Sequence, residues 1–273
     1  MRPRTPEGPR FLRSDGTPDK QTRIHTEAKW LDYVKPPEAL HSPNATFRVA
    51  FLEFLTNNRM NIILADGDKY LGVTTLPKVV GATALWRERD EPVYKILMEP
   101  LKRVEERMTP LVDGSNDKEV AEALNKAPPS VDEVPVVKGE RVVGVLNVRD
   151  VASKEVLDVP VGELAVRLPT VGSVGEALME MEEKGLPVVA VEDRLLDARD
   201  VARRIWEERT LPVGSIKIED LLIEPYEVYK QNVSLREALE NFDPHKEDYL
   251  LVDLGEGYGI VPLVKVAAKA IHP

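Results

Sequence analysis

Four stretches of the chain alternate apolar and polar positions at the period of a strand, turn over a polar tip, alternate again, and then change to the period of a helix. They read "NIILADGDKYLGVTTLPKVVGA" (Asn61 to Ala82), "EVPVVKGERVVGVLNVRDVAS" (Glu133 to Ser153), "GLPVVAVEDRLLDARDVARRI" (Gly185 to Ile205) and "DYLLVDLGEGYGIVPLVKVAAKAI" (Asp248 to Ile271). Each follows a further amphipathic stretch: "TFRVAFLEFLTNN" with Thr46 as N-cap, "DKEVAEALNKA", "SVGEALMEMEEKG" with Ser173 as cap and Gly185 as stop, and "SLREALENF". The repeating unit is strand, helix, strand, strand, helix, in roughly fifty to seventy residues. A unit of that size encloses too little apolar volume to stand alone, so the copies are expected to pair.

This pattern, clearest in "VPVVKGERVVGVLNVRDV" of the second copy, resembles the CBS domain over most of residues 39–272. The resemblance implies an α/β fold of four CBS repeats (β-α-β-β-α) paired into two Bateman modules, copies one and two in one and three and four in the other, with an extended N-terminal arm. The arm then takes residues 1–38, and the repeats take 39–90, 91–155, 156–210 and 211–273.

Members of this family bind adenosyl ligands such as AMP, ADP, ATP or S-adenosylmethionine in clefts between paired units. A Ser or Thr lies near the phosphate and, three residues on, an Asp accepts from the ribose hydroxyls. Here those positions hold Thr75 and Lys78, Asn147 and Asp150, Asp197 and Asp200, and Pro262 and Lys265, so no copy has both expected residues. Asn147 can donate an amide hydrogen bond to phosphate, Asp150 can accept from a ribose diol, and Arg149 can add charge beside phosphate. Asp200 can hold a ribose, but Asp197 sets a carboxylate where an anion should sit. Lys78 and Lys265 offer no acceptor, and Pro262 no donor. The second cleft is thus the first candidate for AMP, ADP or ATP and the third is the next, against the plain alternative that these residues cap a helix. No cofactor is required.

Composition narrows the chemistry. The 273 residues are 42% hydrophobic, enough for real cores, and contain no cysteine, which removes disulfides, thiolate metal sites and cysteine nucleophiles. His25, His41, His245 and His272 show no metal-ligand spacing. "GEGYG" (Gly255 to Gly259) and "ADGDK" read as hairpin turns rather than phosphate loops, and the carboxylate pairs Glu105–Glu106 and Glu182–Glu183 read as solvated helix faces. No enzyme is expected. No apolar run suits a membrane span or a signal peptide, which points to a cytoplasmic protein without membrane contact. High charge and 22 prolines lean toward a thermophile.

Charge divides the chain unevenly. Residues 1–29 carry seven bases and four acids, net +3, leaving 30 bases and 43 acids, net −13, on the rest. Pro3, Pro6 and Pro9 at three-residue spacing favour an extended polyproline II arm. On it Arg2, Arg4, Arg10, Arg13, Lys20 and Arg23 can contact phosphates and Phe11 can stack on unpaired bases, a set suited to folded RNA. Nothing resembles a DNA-reading motif. Arg203 and Arg204, near Trp206 in "RDVARRIWEER", offer a second basic patch, unless Trp206 packs into the core and the arginines are simply solvated. With this arm the chain resembles archaeal tandem-CBS proteins associated with dormant ribosomes. That resemblance implies a hibernation factor that silences translation: its body docks on the ribosome, on rRNA and ribosomal proteins, and its arm enters an rRNA-lined channel. The alternative is a soluble adenine-nucleotide-sensing regulator, similar to the gamma subunit of AMP-activated kinase, acting on a protein partner. A third reading is a CBS scaffold that only dimerises.

Overall fold

The polar tips between paired apolar runs turn the chain back on itself and set four antiparallel hairpins, each continuing directly into a helix. The structure, a computed structural model, describes residues 28–86, 90–154 and 158–273. A leader comes first, a helical turn over Lys29–Tyr33 followed by β1 (Val34–Lys35). The first repeat is β2 (Leu40–His41), α1 (Phe47–Thr56), β3 (Asn61–Asp66), β4 (Lys69–Thr75) and α2 (Leu76–Leu85). The second is β5 (Leu111–Val112), α3 (Asp117–Lys126), β6 (Glu133–Lys138), β7 (Arg141–Asn147) and α4 (Val148–Lys154). A second leader strand, β8 (Val166–Arg167), precedes the third repeat: β9 (Thr170–Val171), α5 (Val174–Lys184), β10 (Val188–Val191), β11 (Arg194–Asp197) and α6 (Ala198–Glu207). The fourth is β12 (Val228–Lys230), α7 (Leu235–Leu239), β13 (Tyr249–Asp253), β14 (Tyr258–Pro262) and α8 (Leu263–Ile271).

The local signals explain these bounds. Ser173 caps α5 by accepting from the Glu176 amide, Gly185 stops it at φ +63°, and Asn116 and Glu119 form a reciprocal capping box on α3. "GEGYG" is the expected hairpin turn, with Gly255 and Gly257 at positive φ. Two expectations change. Glu105 and Glu106 do not lie on a helix: a short turn ends at Val104, and Glu106 exchanges backbone hydrogen bonds with Val73 of β4. Residues 28–38, assigned to the arm, are packed on the body, where Trp30 is fully buried.

Strand faces and helices pair the repeats in two different ways. The first two repeats share one sheet, ordered β2-β3-β4-β7-β6-β5, with the hairpin tips joined at Lys69 and Arg141. Asn61, buried at the start of β3, stitches them further, since its carboxamide accepts from Asp132 N and Glu133 N and donates to Glu133 O. The third repeat forms a sheet β11-β10-β9 and the fourth a sheet β12-β13-β14-β8. Each leader strand docks antiparallel on the last strand of a later repeat, β1 on β7 and β8 on β14.

The helices join repeats one and three, and two and four. Gly81 of α2 lies so close to α5 that a Cβ there would stand 2.7 Å from Leu178 O, a contact only glycine permits. One apolar core therefore gathers α1 and α2 with α5 and α6, and the other gathers α3 and α4 with α8. Along β3, Ile62 and Leu64 face the first core while Ile63 faces the second. Such a strand is buried on both sides, which is why its run is continuously apolar. Sheet contact from one to two, helix contact from two to four, and helix contact from three to one place all four hairpin-to-helix junctions around a common centre.

Candidate functional site

The junctions in the second and third repeats carry the same four-residue logic, a capping residue, an apolar residue, then Arg and Asp. Asn147 accepts from the Asp150 amide at 3.0 Å through Oδ1, and so holds Asp150 in the first turn of α4, where a carboxylate is favoured. The Asp150 carboxylate faces Lys35 Nζ at 2.6 Å and His245 Nδ1 at 4.0 Å. Beside it lies a cleft of about 350 Å³ lined by Lys35, Glu38, Arg59, Glu133, Asn147 and His245, among others. Burial, with help from Asp132, pushes the Glu133 carboxyl up to about 7 against the opposing pull of Arg59.

In the third repeat Asp197 takes the capping role. Its Oδ1 accepts from the amides of Arg199 (2.9 Å) and Asp200 (3.1 Å), and its Oδ2 accepts from the Tyr249 hydroxyl at 2.7 Å. Burial first, then Asp200 and Asp248, push this carboxyl up to about 6. Asp200 pairs with Arg203 at 3.1 Å. The adjoining cleft, about 180 Å³, is lined with aromatic rings, Tyr226, Tyr229, Phe242 and Tyr249 among them.

Arg149 does something other than stand ready for phosphate. All five of its N–H groups are committed inside the protein: Nε to Asp132 (2.8 Å), Nη1 to the carbonyls of Pro244 and Glu247, and Nη2 to Asn58 O and Asp248 (2.7 Å). No donor is left for a ligand. Arg199, its counterpart, meets Asp248 with two hydrogen bonds of 2.8 and 3.0 Å and reaches the carbonyls of Phe54 and Arg59. The chain Asp132–Arg149–Asp248–Arg199 balances two cations with two anions and draws bonds from every repeat. Burial alone would raise the Asp248 carboxyl, but hydrogen bonds and charge from Arg199 and Arg149 hold it below the usual carboxylate range.

At the first and fourth junctions the aspartate position is lysine, and the lysine works for a neighbour. Lys78 Nζ donates to the carbonyls of Glu182 (3.0 Å) and Glu183 (3.4 Å) at the end of α5, and Lys265 Nζ donates to Asn125 O (2.7 Å) at the end of α3. Each ammonium thus satisfies orphan carbonyls at the negative end of the helix packed against it. Burial lowers the Lys265 pKa. Sequence reasoning missed this clamp and the central chain. The repeated "RD" at Arg149–Asp150 and Arg199–Asp200, and the acid before a strand at Asp132 and Asp248, were the signals available.

Of the expected RNA contacts, Arg2, Arg4, Arg10, Phe11, Arg13, Lys20 and Arg23 lie outside the described residues. Arg203 and Arg204 lie on α6, paired with Asp200 and Glu208, while Trp206 is half-buried and stacks on Phe51. No helix among the described residues is long and apolar enough to cross a membrane.

No protein-family model matches the chain, and no curated protein does. Solved structures do. A protein of Methanocaldococcus jannaschii described as a candidate archaeal homolog of g-AMPK aligns at 17% identity and a TM-score of 0.67, over 88% of this chain and 98% of that one. An uncharacterized conserved protein of Pyrococcus horikoshii aligns at 15% identity and a TM-score of 0.48, over 87% and 96%. A CBS domain protein of Pyrobaculum aerophilum, complexed with AMP, aligns at 20% identity and a TM-score of 0.36, over 45% and 88%. The class this defines is a fold: α/β, with CBS-type repeats in tandem through most of the chain.

Proposed function

We propose that the protein is a regulatory sensor of adenine nucleotides, AMP, ADP or ATP, that holds its ligand in the cleft of the second repeat and acts on a protein partner. One observation carries this reading. Of four equivalent helix positions, two hold lysines committed to neighbouring helices, while Asp150 and Asp200 stand beside clefts. Asp150 has the better surroundings, because its cleft is larger and has Lys35, Arg59 and His245 to meet phosphate charge. The amide nitrogen of Asn147 is the group that would donate to phosphate there. The aromatic third cleft, with Asp200 and the capping carboxylate Asp197, suits an adenosine moiety without an anionic tail. The sheet contact between the first two repeats makes them one module on this reading, with repeats three and four the other.

The fold shared with the candidate g-AMPK homolog makes a sensor the first reading to test. Ribosome hibernation rests on the arm, and the described basic pair, Arg203 and Arg204, is balanced by acids, so the geometry favours the sensor. Calorimetric titration with AMP, ADP and ATP tests it. Binding to the wild type that weakens by about 1–3 kcal/mol in Asp150→Ala, with the melting temperature unchanged, is the expected result. Equal binding by wild type and variant, or none by either, rejects the site.

A further inference from the structure

The leader brings a cation into the second cleft on a rigid mount. Trp30 is fully buried with its indole N–H on Ser115 O at 3.0 Å, and Tyr33 is buried in the same core. Val34 and Lys35 then pair with Leu146 and Val145 of β7. The strand lies so near that a Cβ on Gly144 would stand 2.6 Å from Val34 Cγ1. Lys35 is thereby fixed at the backbone, while its side chain, 57% exposed, reaches the partly exposed Asp150 carboxylate at 2.6 Å.

This ion pair is not what docks the leader. The second leader strand, β8, lies on β14 in the same way, with Val166 opposite Ile260 where Lys35 lies opposite Val145. In that half the helix position is Lys265, and no charge answers it from the leader. A cation on the leader accompanies an acid on the helix, so the pair belongs to the cleft rather than to the architecture.

We infer that Lys35 is a built-in competitor for the ribose-binding carboxylate of the second cleft, and that it selects ligands bearing phosphate. The inference rests on the reading that Asp150 accepts from a ribose. A diol hydrogen-bonded to Asp150 displaces the ammonium. A bare nucleoside leaves that ammonium only water, whereas a nucleotide supplies an anion within reach of the same long side chain. The other cations there have less room to move: Arg59 is held by Glu53 and Glu133, and Arg149 has no donor left.

The test compares the Kd values of adenosine and AMP for the full chain, Lys35→Met, Lys35→Arg and Asp150→Ala. Lys35→Met should bind adenosine about two- to fivefold tighter and AMP no tighter, the size of effect an exposed ion pair reaches, while Lys35→Arg keeps the wild-type preference. An unchanged adenosine-to-AMP ratio in Lys35→Met, with both ligands weakened by Asp150→Ala, overturns the role of Lys35 and leaves the site standing. No binding of either ligand by the wild type overturns the site and the role of Lys35 together.

Discussion

The second and third repeats, set beside the first and fourth, show one backbone position doing two kinds of work. Asp200 lines a cleft and Asp150 pairs with Lys35, which lines another, whereas Lys78 and Lys265 each clamp the end of a helix from another repeat. The residue before it differs in the same way. Arg149 and Arg199 enter the buried centre, while Pro77 and Val264 at the matching positions are apolar and buried. Repetition fixes where a side chain starts, and the neighbour it meets decides its job. Two copies commit this position to the packing of helices, and in the other two it is left facing open space beside the junction.

The largest effect should come from the centre. Asp248→Ala leaves two buried guanidinium groups without their shared carboxylate and should cost about 3–5 kcal/mol in urea denaturation. Asp132→Ala should cost less, since Arg149 keeps Asp248 and its carbonyl partners. A loss under about 1 kcal/mol for Asp248→Ala would mean the centre is solvated rather than closed.

Next comes the contrast between the paired positions. Asp150→Ala should remove about 1–3 kcal/mol of nucleotide affinity and little stability. Lys265→Met and Lys78→Met should each remove about 1 kcal/mol of stability, through the uncapped carbonyls of α3 and α5, and leave affinity alone. A lysine variant that bound nucleotide more weakly at unchanged stability would erase the division between ligand and clamp.

The smallest effect is one of pH. Burial raises the Asp197 carboxyl from 3.8 to about 6 in the folded protein. Between those values the folded state holds a proton that the unfolded state has lost, so stability from this group is complete below 3.8 and declines as pH rises toward about 6. Asp197→Asn should flatten the stability profile across that window. Parallel profiles for wild type and Asp197→Asn would show that this carboxyl is not held protonated.

The four hairpins, most of the helices and the capping residues Ser173 and Gly185 were legible in the sequence, because alternation, turn chemistry and caps act between residues a few positions apart. The resemblance to the CBS pattern also aligned the eight junction positions from copy to copy, though not what each side chain does there. The fate of Arg149 was not legible. Its partners Asp132, Asp248, Asn58, Pro244 and Glu247 come from three repeats and lie 17 to 99 residues away. Nor could the sequence announce an ion pair between Lys35 and Asp150, 115 positions apart. The one-dimensional pattern determined what each repeat is and which side chain each junction carries. Only the arrangement of four repeats about one centre decided which charges meet, because a buried charge must find its partner in whatever the fold brings beside it.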